Sequence, residues 1–217
     1  EQANPNLYVP LITIDGLGLD VTKVTGTEIV ASSVKLLASI YGSENNSVII
    51  KSGDKKYDYN SKTITSVEDA GIDSADSLSP LFAIDASALA QIQAGRIYLI
   101  ATKAGVGVKM EGEILASSTL NLDANGDIYY SKISAGDAAN LSANGAIQTT
   151  DSNSSISAPT INITANQFNN YGLVSSDNLN IQNSGSINNY GRLEALNLNL
   201  TNITNINNFG DIYGQDS

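Results

Sequence analysis

Three carboxylates and two cations fall within one short stretch of the chain: Asp85, Glu111 and Glu113, with Arg96 and Lys103. Paired carboxylates beside a cation are the machinery of polysaccharide cleavage, one delivering a proton while the other attacks or activates water. They can work together only if the backbone brings them onto neighbouring turns, and solvated charges or turn caps are the plainer reading. Asp123, Asn125 and Asp127 open like a calcium loop, because alternating oxygen ligands suit a hard cation. Ile128 stands where such a loop needs glycine and Ser134 where it needs glutamate, so a turn between strands is expected instead. Gly105 and Gly107 lack the third glycine and the following helix of a dinucleotide site. With no histidine and no cysteine, the commonest general base, thiolate ligands and disulfides are all absent. The expectation is a chain that is not an enzyme, with no catalytic, cofactor-binding or metal residues.

The elements that carry these residues announce themselves by repetition. NNYG at 169–172 returns as NNYG at 188–191 and as NNFG at 207–210, a spacing of 19 residues. Asn170, Asn189 and Asn208 form one series, Tyr171, Tyr190 and Phe209 a second, and Gly172, Gly191 and Gly210 a third. A fixed short period marks a solenoid, in which each repeat stacks on the next. Leu179 and Ile181, like Leu198 and Leu200, alternate with asparagines, the period of two of a strand with one buried face. The same 19-residue spacing relates LDANGDI at 122–128 to LSANGAI at 141–147. Nineteen residues cannot hold two helices. The fold class expected is therefore all-β, a right-handed single-stranded parallel β-helix with an extra-helical excursion. About 10 coils would make a rod on the order of 50 Å long. Asparagine ladders would run along the stack, and the repeat glycines would supply positive φ at its corners.

Upstream, ASSVKLLASI at 31–40 and SVIIKSG at 47–53 read as strands, as does SAPTINITANQF at 157–168. Residues 54–80 are polar and acidic, break the apolar pattern and are expected to leave the rod, with a hairpin around residues 62–65. The net charge of −11, with scattered lysines and arginines, speaks against nucleic-acid binding and against attraction to an anionic membrane. No apolar run is long enough to span a bilayer, and the first ten residues are no signal peptide. For a secreted protein, the export signal would be removed or lie upstream. Asn-x-Ser/Thr occurs at Asn45, Asn140, Asn153, Asn162, Asn199 and Asn202, as chance allows in so Asn- and Ser-rich a chain.

Residues 81–114 resemble the haemagglutination-activity domain of two-partner secretion exoproteins, the family of filamentous haemagglutinins and contact-dependent growth-inhibition proteins. The match runs through Ala83, Asp85, Ser87, Ala88 and Leu89, then AGRI at 94–97 and AGVGV at 104–108. Residues 11–40 look like the family's preceding segment, with IDGLGLD at 14–20 in the place of its glycine-rich turn, and the NN-aromatic-G units are similar to its haemagglutinin repeats. The resemblance implies that 1–148 is the C-terminal part of the secretion domain, with the excursion at 54–80, and that 149–217 are the first repeats, continuous with it. It also implies an export role. A partner outer-membrane transporter would recognise the domain, and the β-helix would nucleate outside, placing the protein at a Gram-negative cell surface as an adhesin, haemolysin or toxin carrier with a host- or target-cell receptor. Asp85, Arg96, Gly105 and Gly107 are the positions expected to shape family-specific turns, with Ser87 and Leu89 as further positions of the structural motif. Two other readings are kept: an adhesive module contacting host glycan or protein through 54–80, and a polysaccharide-cleaving β-helix.

Overall fold

The computed structural model describes residues 11–53, 56–58, 63–65, 82–182 and 184–214. Among them there is no helix, and every pairing in the main sheet is parallel. The chain winds as a three-sided β-solenoid. Face A stacks Leu11–Ile14, Ser33–Leu36 and Phe82–Ala86, then the first part of Gly107–Ala124, and continues to Asn205–Asn208. Face B begins with Leu19–Asp20 and Ile40–Tyr41 and ends with Asp211–Gly214. Face C begins with Gly26–Ala31 and Ser47–Ser52 and ends in the second half of Arg192–Thr201.

These ladders make eight complete coils and two strands of a ninth, fewer than the 10 the length suggests. The difference comes from residues that lie outside the stack. Lys56–Asp58 and Thr63–Thr65 pair with each other, antiparallel, in a separate two-stranded sheet, and the rest of 54–81 lies outside the described residues. Eight spacings of about 4.8 Å give a stack roughly 38 Å tall. The coils are also shorter in their parts than the sequence suggests. Residues 31–40 hold the end of one strand, all of Ser33–Leu36, and a corner before Ile40; residues 157–168 likewise cross two corners around Thr160–Thr164.

Alternation explains which residues fill the interior. On face A, Val34, Ile84, Val108, Ile128, Ile147, Phe168 and Ile187 stand above one another and are buried. Ile92, Ile114, Ile133, Ile156, Val174 and Leu193 do the same on face B. Each such side chain contributes about 1.5–3 kcal/mol when fully removed from water, so every coil adds several strong apolar contacts to its neighbours. Stability is accordingly spread along the axis, as in other one-dimensional stacks.

The repeat glycines serve a purpose other than the one expected. Positive φ among glycines occurs at Gly16, Gly18, Gly53 and Gly105, and not at Gly172, Gly191 or Gly210. At those three a Cβ would collide with the backbone carbonyl oxygens of Ser154, Gly172 and Gly191, one coil below. They are glycines because successive backbones approach too closely at this corner for any side chain.

Candidate functional site

The corner between faces A and B holds the most specialised column of side chains. It runs inward-facing from Ile14 through Leu36, Ala86 and Met110 to Tyr130, then Thr149, Asn170, Asn189 and Asn208. The column is apolar in the first coils and polar in the last. Where it is polar it is almost fully paired. Asn170 Nδ2 donates to Asn189 Oδ1 at 2.8 Å, and Asn189 Nδ2 donates to Asn208 Oδ1 at 2.7 Å. The same amides reach backbone carbonyls, Asn170 those of Gly172 and Arg192, and Asn189 that of Asp211 at 3.0 Å. Thr149 Oγ1 heads the series by accepting from the Tyr171 amide at 2.8 Å. Asn170 and Asn189 are completely buried, so the ladder satisfies corner amides and carbonyls that water cannot reach.

Just outside this ladder the aromatic residues stack. Tyr171 and Tyr190 lie 4.9 Å apart with an interplanar angle of 6°, and Tyr190 and Phe209 5.1 Å apart at 7°. The coil spacing sets these near-parallel rings, and their centroid separations lie within the range of favourable offset stacking. Two further asparagine ladders run on the outside: Asn121, Asn140, Asn162, Asn180 and Asn199 on face C, and Gln148, Asn169, Asn188 and Asn207 on face A.

Tyr130 sits where the column changes character, and no sequence signal marks it. Its side chain is fully buried between Met110 and Thr149, and its hydroxyl has no hydrogen-bond partner. Burial pushes its phenol pKa upward. A raised folded-state pKa means that this contribution to stability is complete below the unfolded value of about 10 and is lost as pH rises above it. Tyr130→Phe is expected to stabilise the chain by about 1 kcal/mol at neutral pH, because a buried orphan hydroxyl costs roughly that or more. Urea denaturation at pH 7 and pH 10.5 checks both parts: the variant's gain should grow at the higher pH.

The family-motif residues are distributed around one coil. Asp85 lies in the face-A strand, between Lys35 and Lys109 of the adjacent coils. Lys109 Nζ pairs with Glu111 at 2.7 Å, which raises its pKa, with a smaller push from Asp85. Ser87 and Leu89 form the following corner, where the Ala90 amide donates to the Ser87 carbonyl and Leu89 is 87% exposed. Arg96 opens the face-C portion of Gln91–Ala101, in register with Ser47 and Thr119, and so lies in a strand. Gly105 has φ +73° in open space, whereas Gly107 packs its α-carbon against the Asp127 carbonyl. Gly105 is the one of the six with positive φ, and Ser87 and Leu89 also stand at a corner.

The candidate catalytic cluster does not assemble. Asp85 lies on face A, Glu113 on face B in hydrogen-bonding contact with Gln91 at 3.2 Å, and Arg96 on face C. The oxygen-rich turn at 123–127 is used internally. Asn125 donates to the Thr102 carbonyl at 3.2 Å and accepts from Asn144, while Asp127 Oδ1 accepts from the Ala146 amide at 2.7 Å. Among the described residues no group of three or more acidic side chains is placed to hold a metal ion, and no helix is long and apolar enough to cross a membrane.

No family model matches the chain, and no solved structure does. Two relatives match by sequence. Over 127 residues, 58% of the chain, it is 33% identical to the tRNA nuclease CdiA-2 of Burkholderia pseudomallei (strain 1026b). Over 108 residues, 49% of the chain, it is 37% identical to Toxin CdiA of Yersinia pestis. These regions are 4% and 3% of the two relatives, so the chain spans a small fraction of their length. The sequence relationship and the stacked parallel architecture agree: the chain is a β-solenoid, and over about half its length it is similar to CdiA contact-dependent growth-inhibition proteins.

Proposed function

We propose that this chain is the secretion and coil-nucleating part of a large exoprotein displayed at a Gram-negative cell surface, recognised by a partner outer-membrane transporter. The observation that carries the reading is the relationship to two CdiA proteins, joined to a fold in which each coil is a template for the next. A stack whose contacts are almost all between neighbouring coils can form as the chain emerges, without waiting for distant segments. In this reading 1–148 belongs to the secretion domain and 149–217 begins the repeat shaft, and the ladders pass across residue 148 within the strand Ala146–Thr149. The role is not enzymatic, and any nuclease activity of the kind named for one relative resides in other parts of such a protein. The dispersal of Asp85, Glu113 and Arg96 over three faces supports that assignment.

The test uses the complete gene and its adjacent transporter gene in a Gram-negative host. Replacing the motif segment 82–108 with an unrelated β-solenoid coil should abolish surface display and leave the protein in the periplasm. Undiminished surface display, scored by antibody labelling of intact cells, would refute the export role.

A further inference from the structure

The corner between faces B and C is concave along most of the solenoid. One hollow, of about 630 Å³, is lined by Ser43, Glu44, Gln93, Leu115, Ser117 and Ser134. A second, of about 550 Å³, is lined by Ser157, Pro159, Ser175, Asp177, Arg192 and Tyr213, among others. They meet at residues 134–136, since Ser134 and Gly136 line the first and Ala135 the second. Their back wall is a column of small side chains, Ala94, Ala116, Ala135, Ala158 and Ala195, which keeps the corner recessed. The result is one trough parallel to the solenoid axis. From the coil of Ser43 to that of Tyr213 it crosses seven coil spacings, or roughly 34 Å.

The lining selects the chemistry of an occupant. Serine hydroxyls are its commonest polar groups, with Gln93 the one amide side chain among small apolar residues, and the Ser176 hydroxyl in the second hollow is buried without a partner. Glu44, Asp177 and Glu194 are acidic, while the one arginine, Arg192, is engaged by Glu194 at 2.7 Å and lies 4.2 Å over the Tyr213 ring. With a net charge of −11, such a trough repels nucleic acids and acidic glycans. A peptide strand cannot add here by backbone pairing, because the strand edges at this corner are already used between coils. Leu115 offers an apolar platform in the first half, and Tyr213, with one ring face covered by Arg192, offers part of one in the second. On the face-C bank the outward positions from Thr119 to Thr201 are amides and hydroxyls apart from Ala138 and Asp123, while the two coils before them carry Arg96 and Lys51, the latter paired with Glu28.

We propose that the trough binds a linear, uncharged polysaccharide lying along the solenoid axis, with sugar hydroxyls meeting the serines and amides and sugar C–H faces meeting Leu115 and Tyr213. The binding is independent of export, so the purified chain suffices for the test. In native affinity gels cast with linear neutral glucan, mannan or galactan, the chain should be retarded by at least one of them, and not by polygalacturonate. Ser157→Lys and Ser117→Lys block the two halves at outward-facing positions, and each should weaken the retardation about tenfold or more. Asn188→Lys, on face A, should leave it unchanged, and circular dichroism melts of all three variants report whether they remain folded. No retardation by any neutral polymer, retardation by polygalacturonate alone, or retardation that survives both blocking substitutions would overturn the proposal.

Discussion

Gly112→Ala is expected to cost the chain more than about 4 kcal/mol, an effect in the class of severe core lesions, although it adds a single methyl group. Gly112 lies at the corner between faces A and B within the continuous strand Gly107–Ala124. A Cβ there would overlap the Ala90 carbonyl oxygen and crowd that of Ser87, both backbone atoms of the preceding coil. Neither can swing aside as a flexible side chain could. The Ala90 oxygen also accepts the Glu113 amide at 3.1 Å, so the clash falls on a rung of the ladder. Separating the coils enough to admit the methyl group would open the pairing of Gly107–Ala124 with both Phe82–Ala86 and Gln91–Ala101. Gly105→Ala is the matched control. Its φ of +73° is strained for alanine, yet nothing stands within 4 Å of the new carbon, so about 1 kcal/mol is expected. Urea titrations followed by circular dichroism compare the two. Equal costs would mean that backbone conformation, and not coil spacing, sets the demand for glycine.

That contrast shows what could be read from the chain alone. The parallel β-solenoid was legible because alternation and the 19-residue spacing are both visible wherever the corners have equal length, as from Phe168 through Ile187 to Ile206. Elsewhere the corners absorb insertions. Ile161 and Leu179 pair at a spacing of 18 residues, Ile97 and Leu120 at 23, and a period that drifts in this way is lost in the letters while the ladder stays intact. The number of coils was overestimated for a related reason, since residues outside the stack count toward length but not height. The glycines at the NN-aromatic-G corner were legible as turn residues, but their cause, an approach of two backbones, is a contact between coils. Tyr130 gave no signal, because a tyrosine in an alternating strand reads as an ordinary half-buried aromatic. The carboxylates around Asp85 are close in sequence, and the three-sided coil sends neighbouring segments to different faces.

Asn189→Asp replaces one nitrogen by oxygen and is expected to destabilise the C-terminal coils by more than about 3 kcal/mol at pH 7, the scale of a buried charge left unpaired. Asn189 is wholly buried and serves both as acceptor, from Asn170, and as donor, to Asn208 and the Asp211 carbonyl. A carboxylate keeps the first role and loses the second, so it would face the Asn208 and Asp211 oxygens with no hydrogen between them. Burial and those oxygens raise the folded-state pKa of the new acid above the unfolded value of about 3.9. A group with a raised folded pKa contributes its stability below the unfolded pKa and loses it as pH rises. The variant should therefore approach the native stability near pH 3 and fall furthest behind at neutral pH. Asn188→Asp, one residue away on the outward ladder, should cost under about 1 kcal/mol because water can solvate the charge. Hydrogen exchange at pH 4 and pH 7 reads the damage coil by coil. Because the stack is one-dimensional, amides around Arg192–Thr201 should lose protection while those of Gly107–Ala124 keep theirs. Loss spread evenly over all coils would mean that the solenoid folds as one cooperative unit and that the asparagine ladder clamps the whole rod.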